Sequence, residues 1–433
     1  MTTAATGPQP MTADQEWRAF WPLVLSALAG LSFGAIPSAT LGLFMDPLHQ
    51  EFGWSRTEIS AGMTIFAAVS LPLTPLAGIL VDRIGARRAA IPGLLGTGLL
   101  FAAFGLMTGP IWQWVVGWIV LTMFASLIRS MVWNTAISKT FSVSRGFAMA
   151  VLLSGLGMAS AIAPIITNWL VSHAGWRNAY ACIGLGWGGL ALLLVIFMFH
   201  DRPHAVSAAG PAGQSHPRET PGGLTLKQAF RNPIMYRIAF AMFLTTLAGA
   251  AAMVHMVPML TGMGLSRGQA ASYAGLLGLA SVIGKLGSGW LIDRVTGSIL
   301  PVFAFGGPAV GFLLLLYGNG AGWSITAAIL LMGICSGASL QLSTYLTSRY
   351  AGVRYFGSIF GIISALMGLA AGIGPLIGGA IFDTTGGYAT FLLASVPAGM
   401  IAGLCVAGLG AYPTFEPVRV EPTPTGGPVP ATA

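Results

Sequence analysis

Charge is what this sequence has least of. Asp, Glu, Lys and Arg make up 7% of its 433 residues, against roughly 25% in a soluble globular domain, so a surface bathed entirely in water is excluded. Cysteine is scarce as well: Cys182, Cys335 and Cys405 all fall inside apolar runs, which excludes a disulfide framework and a cysteine-based zinc site. Only 12 carboxylates occur, and all of them lie in termini, loops or the ends of apolar runs. No HExxH or P-loop pattern is present, and no two acids pair within an apolar run. An intramembrane enzyme is therefore disfavoured, and neither a metal nor a cofactor is expected.

What abounds is apolar length. Stretches able to cross a hydrocarbon core ~30 Å thick fall near 18–45, 57–81, 88–109, 111–138, 146–170, 176–199, 234–262, 267–292, 297–318, 322–348, 355–382 and 387–411. This predicts an all-α membrane protein with twelve transmembrane helices and both termini on one face. Of the 20 Lys and Arg, fifteen fall on that terminal face and only Arg56, Arg177 and Arg267 on the other. Loop cations concentrate on the cytoplasmic side, so both termini are expected in the cytoplasm of a bacterium, with the chain in its inner membrane. The same asymmetry accounts for the net charge of +8 without a nucleic-acid partner.

The expected organisation is a tail, 1–17, a six-helix bundle, 18–199, a linker, 200–233, a second bundle, 234–411, and a disordered tail, 412–433. Within the linker, Leu224 to Phe230 fits a short amphipathic helix lying on the membrane surface.

The two halves repeat at a constant offset of 211 residues. Pro47 falls on Pro258, Ser55-Arg56 on Ser266-Arg267, Gly146 on Gly357, Pro164 on Pro375 and Gly175 on Gly386. One register held across several spans implies two homologous bundles in parallel orientation, an architecture that puts a binding site between them near the midplane. Pro164, and Pro375 within Gly372-Ile373-Gly374-Pro375-Leu376-Ile377-Gly378-Gly379, sit where bending or close helix approach is expected.

The stretch Gly78-x-Leu80-x-Asp82-Arg83-x-Gly85-x-Arg87-Arg88, echoed by Gly289-x-Leu291-x-Asp293-Arg294, resembles the signature of the major facilitator superfamily. Asp82 closes a span at the terminal face, where a carboxylate at a helix C-terminus is disfavoured. The start of the eleventh span would accept it, and Asp293 has the symmetric option at the fifth. Asp82, Arg83, Arg87, Asp293 and Arg294 are thus expected to form latches that shut the terminal side.

Phe52-Gly53-Trp54-Ser55-Arg56-Thr57-Glu58, Thr140-Phe141-Ser142-Val143-Ser144-Arg145-Gly146-Phe147 and Gly175-Trp176-Arg177 resemble segments of monocarboxylate transporters, including their bacterial oxalate–formate relatives. The resemblance implies a twelve-helix transporter of small organic anions. It also implies that Lys285 is the substrate-binding cation of the eighth span. Mammalian members of that family couple protons through a lysine and an aspartate; the matching positions here hold Ser38 and Ser281.

Two cations fall inside spans. Lys285 precedes Asp293 by eight residues, ~12 Å of helix, and Arg129 precedes Lys139 by ten, ~15 Å, so both lie near mid-membrane. A charge there costs roughly 2.5–3.5 kcal/mol on insertion scales and usually faces a cavity or a partner. With no acid left to neutralise either one, a mobile organic anion is the expected counter-charge. The repeat supports this, because Lys285 matches Thr74 and Arg129 matches Leu340, and a residue needed only by the fold would appear in both copies. His255, Asn134, Ser281, Gln341, Trp133 and Tyr345 are the further substrate-binding candidates. The expected activity is alternating-access transport of a mono- or dicarboxylate by a monomer, as symporter or antiporter with a proton or counter-anion. The alternatives are a drug or metabolite exporter, which would favour a buried acid, and a membrane sensor on the same scaffold.

Overall fold

The computed structural model describes residues 12–141, 143–200, 219–220, 222–292, 294, 299–352, 354–415 and 418–419. Among them run α1 (Ala13–Phe52), α2 (Arg56–Ile84), α3 (Ala86–Leu106) and α4 (Ile111–Thr140). One helical run, Arg145–Met198, is broken at Gly175, where φ is 81° and ψ 160°. Glycine adopts that conformation without the Cβ clash any other residue would meet. The run therefore counts as two spans, α5 (145–174) and α6 (176–198). The second half supplies α7 (Pro233–Gly262), α8 (Arg267–Ile292), α9 (Ile299–Tyr317), α10 (Gly322–Ala351), α11 (Phe356–Thr385) and α12 (Ala389–Val406). These are the twelve spans expected, with boundaries that differ by up to seven residues, most at α1.

The repeat is visible in how helices begin and end. Ser55 caps α2 in a reciprocal box with Glu58, and Ser266 meets Gln269 in the same way at α8. Gly386, the mate of Gly175, also has positive φ, 73°. Each half has its own core. In the first, Phe104, Trp114, Trp118 and Tyr180 interlock with ring centroids 5.2–5.8 Å apart. Outward-facing side chains such as Leu76, Leu99, Phe197 and Leu404 are more than half exposed, as expected where lipid replaces water.

The sequence gives no sign of one irregularity. Helix α4 is not continuous: a 3-10 turn at Ser126–Ile128 leads to Arg129 in an extended conformation, φ −71° and ψ 161°, before helix resumes at Ser130. Its repeat mate α10 runs unbroken through Leu340. Broken backbone at membrane depth persists only where protein or a cavity satisfies it. Here the Trp133 indole does so, donating to the Ile128 carbonyl at 2.8 Å.

In the linker, Leu226–Ala229 forms a single helical turn with a Thr225–Gln228 capping box, and Leu226 and Phe230 help line an apolar groove against α7 and α11. The expectation of disorder from residue 412 onward does not hold for the first residues of the tail. The Tyr412 ring lies 5.3 Å from Tyr350 and 6.1 Å from Tyr345, and Tyr350 Oη donates to the Gly410 carbonyl at 2.8 Å. Aromatic contacts of this kind add to burial and hold the segment on α10. Glu219–Thr220 then pairs antiparallel with Val418–Arg419. Residues 416–417 and 420–433 lie outside the described residues, as do the tail 1–11 and linker residues 201–218 and 221.

The halves meet along α2–α11, α5–α8 and α1–α7. On α2–α11, a Cβ on Gly379 would lie 2.8 Å from the backbone of Arg56 and Thr57. Only glycine lets the end of α11 close on the start of α2.

Candidate functional site

Lys285 sits on α8, one turn beyond Ser281. Both line a cavity of about 240 Å³ bounded by Thr245, Gly249 and Met253 of α7, Ser336 and Leu340 of α10, and Met367 of α11. Drug-sized pockets measure about 300–1,000 Å³, so the room suits a small ligand. Lys285 is half-buried, and among the described residues no carboxylate pairs with it. The cavity is mostly apolar, with hydroxyls supplied by Thr245, Thr246, Ser281, Ser336 and Ser339. Apart from Lys285 and Ser281, none of these polar residues was among the sequence candidates. Their signal was present, since Thr245-Thr246 is a polar pair inside an apolar span.

Arg129 does not line that cavity. Its Nη1 donates to Thr74 Oγ1 at 3.2 Å, and its guanidinium lies 5.5 Å from the Phe66 ring centroid. Thr74 is the repeat mate of Lys285, and Leu340, the mate of Arg129, borders the Lys285 cavity. Each half therefore carries one cation at a corresponding place, delivered from α4 in the first half and from α8 in the second. The break in α4 also starts a half-helix at Ser130, and such a positive helix end favours anions.

Other candidates fall elsewhere. Trp133 is completely buried, and a Cβ on Gly30 would lie 2.3 Å from its ring; its role is to brace the α4 break, not to touch a ligand. Trp133→Ala is therefore expected to cost about 3–5 kcal/mol of stability, read as a large fall in the melting temperature of the purified protein. Asn134 is half-buried and its Oδ1 has no partner among the described residues. Gln341 is exposed and lies outside the cavity lining. Tyr345 faces Tyr412 of the tail segment. Burial, with Tyr345 next, pushes the Tyr412 hydroxyl pKa up to about 12. Gly30-Leu31-Ser32-Phe33-Gly34 has the spacing of a nucleophile elbow, yet Ser32 lies inside continuous α1, donates to the Ala29 carbonyl and accepts from Trp187 Nε1. Among the described residues no histidine bonds to it, and its partners are structural.

His255 is a correction. It is fully buried and tied on both ring nitrogens, with Nδ1 2.9 Å from Tyr388 Oη and Nε2 2.8 Å from the Pro375 carbonyl and 3.3 Å from Ser60 Oγ. No valence is left for a substrate. It belongs instead to a seam on the face opposite the termini. There Arg56 Nη1 donates to Tyr388 Oη at 2.6 Å and Nη2 to Asp46 at 3.2 Å, while its guanidinium stacks 3.8 Å over Phe382. Asp383, at the end of α11, accepts from the backbone N–H groups of Arg56 and Thr57 and caps α2 from the other half. Further bonds join Thr64 to the Gly372 carbonyl at 2.7 Å and Arg267 to the Leu43 carbonyl. Sequence reading missed this seam, although Arg56 and Arg267 recur at the repeat offset.

The expected latches on the terminal side rest on two carboxylates that the structure does not describe. Asp293 and the side chain of Asp82 lie outside the described residues. Arg83 is exposed, Arg87 donates to the Ile196 carbonyl of its own half, and Arg294 folds over Trp290. Pro164 is buried within α5, and Pro375 takes part through its carbonyl.

The sequence profile of the Major Facilitator Superfamily matches residues 23–363. Monocarboxylate transporter 13 of Bos taurus is 26% identical, covering 94% of this chain and 92% of its own. A gallate transporter of Pseudomonas putida is 24% identical over 82% and 87% of the two chains. Among solved structures, a bacterial homologue of the human lysosomal transporter Spinster, inward-facing and unoccupied, superposes with a TM-score of 0.67 at 16% identity, covering 92% and 95%.

Proposed function

The chain belongs to the Major Facilitator Superfamily, and from that premise we propose that it carries a small organic anion, a mono- or dicarboxylate, across a bacterial inner membrane by alternating access. The observation that carries this reading is the Lys285 ammonium in a small cavity, without a carboxylate partner among the described residues. A buried cation left unpaired is costly, and a carboxylate arriving from water would pair with it. The surrounding hydroxyls of Ser281, Ser336 and Thr245 offer donors to a carboxylate's remaining lone pairs. Similarity to transporters named for monocarboxylates and for gallate, itself a carboxylate, supports the same class.

Arg129 supplies the second cation, from the first bundle. With the terminal face cytoplasmic, the seam built on Arg56 and Asp383 closes the outer side.

Two measurements test the reading. Purified protein is screened for thermal stabilisation by lactate, pyruvate, oxalate, formate and aromatic acids, and a ligand that binds is expected to raise the melting temperature in proportion to its concentration. The stabilising acid, radiolabelled, is then followed into proteoliposomes. Arg129→Ala is expected to lower its uptake about ten-fold or more, the loss of one charge-assisted hydrogen bond. No stabilisation by any organic anion, or uptake indifferent to Lys285 and Arg129 alike, overturns the proposal.

A further inference from the structure

The seam on the face opposite the termini contains a directed chain of donors. The Pro375 carbonyl can only accept, so His255 Nε2 carries the hydrogen, and Nδ1 must present its lone pair to the Tyr388 hydroxyl. Tyr388 Oη in turn accepts from Arg56 Nη1. The order runs Arg56 to Tyr388 to His255 to Pro375, and it crosses from the first half of the chain to the second. Every link has one polarity.

We propose that His255 is a proton-operated lock: the seam closes only around the neutral imidazole, and protonation of Nδ1 opens it. A proton on Nδ1 sets donor against donor, because the Tyr388 hydroxyl already points its hydrogen there. Turning that hydroxyl away leaves its hydrogen facing Arg56, a cation. The ionisable groups around the imidazole are Tyr388 ahead of α12, Arg56 and Glu58 on α2, Asp46 on α1, Asp383 on α11 and Arg267 on α8. Asp46 is engaged by Arg56, Asp383 by the α2 backbone, Glu58 by the Ser55 cap, and Arg267 by the Leu43 carbonyl. None of these carboxylates hydrogen-bonds to His255; Asp383 acts on the imidazole only through space, and the Arg56 cation opposes it.

The opening step consumes one proton from the water on that face and releases none, so the closed state holds one proton fewer than the open one. Linkage then fixes the sign: the closed-to-open ratio is maximal above the histidine's ordinary value in water, ~6.5, and falls by up to ten-fold per pH unit below it.

Trp112 and Trp323 report on this. They are repeat mates at the starts of α4 and α10, both exposed, on the face where the seam lies. Spin labels at Trp112→Cys and Trp323→Cys, with Cys182, Cys335 and Cys405 replaced by alanine, measure the opening in lipid vesicles. The expected result is a short distance at pH 8 and a closed-to-open ratio about ten-fold lower at pH 5.5. His255→Gln, which can accept and donate but does not titrate, is expected to abolish the pH step. Tyr388→Phe removes the opposing hydroxyl and is expected to shrink the step while leaving the fold intact. A wild-type ratio that does not change with pH, or an unchanged step in His255→Gln, overturns the proposal.

Discussion

Replacement of Lys285 by alanine is expected to weaken carboxylate binding by about 30- to 5,000-fold, the equivalent of the about 2–5 kcal/mol lost when one partner of a buried charge pair is truncated. Transport of the labelled acid into proteoliposomes should fall to the background of empty vesicles. Stability should move the other way. In the ligand-free protein Lys285 is a half-buried cation without a carboxylate partner among the described residues, so deleting it relieves a desolvation cost. A melting temperature equal to or above wild type, together with lost binding, marks a site residue whose charge is kept for the substrate. A residue that merely supports the fold would give the opposite pair: a lower melting temperature with binding retained per folded molecule. Lys285→Arg keeps the charge but changes its shape and hydration and is expected to retain part of the activity. Full transport by Lys285→Ala would remove the assignment.

The second large effect is expected at Arg56, where α2 begins. Arg56→Ala deletes the bonds to Asp46 and Tyr388 and the stacking over Phe382 in one step. Charge-assisted hydrogen bonds contribute about 1.5–3 kcal/mol, which puts the change in the closed-to-open ratio of the seam at about 10- to 150-fold. The Trp112–Trp323 label pair reads it directly as a longer distance at pH 8. Asp383→Asn should act in the same direction but more weakly. Asp383 is solvent-exposed, its contribution is that of a helix cap, and a side-chain amide can still accept one of the bonds. If Arg56→Ala leaves the distance distribution at its wild-type form, the seam is not what holds that face shut. A lesser consequence follows for transport. Whichever direction the substrate moves, a carrier biased toward one face turns over more slowly, so Arg56→Ala should lower the maximal rate more than the apparent affinity.

Much of this protein is written locally in its chain. Span number and position follow from apolar length, since a bilayer demands some 20 apolar residues at a time and tolerates no exposed backbone. The halves follow from a 211-residue repeat that persists in cap chemistry, with Ser55 matched by Ser266, and in backbone conformation, with Gly175 matched by Gly386. Lys285 and Arg129 could be singled out because a charge in an apolar run is conspicuous without any structure. The role of His255 was beyond such reading. A histidine in an apolar span looks the same whether it meets a ligand or a carbonyl, and its partners Ser60, Pro375 and Tyr388 lie 195, 120 and 133 residues away. Asp383 likewise stood out only as one of the acids at the ends of apolar runs, because the α2 N-terminus it caps is 326 residues distant. Nor could composition place the break at Arg129, which depends on an indole folding back onto Ile128. By itself, then, the sequence determined the membrane, the twelve spans, the twofold plan and the two cations placed within spans, because hydropathy and helical rise act locally along the chain. Only the tertiary structure decided which face is sealed and by which side chains, because those bonds join helices far apart in the chain.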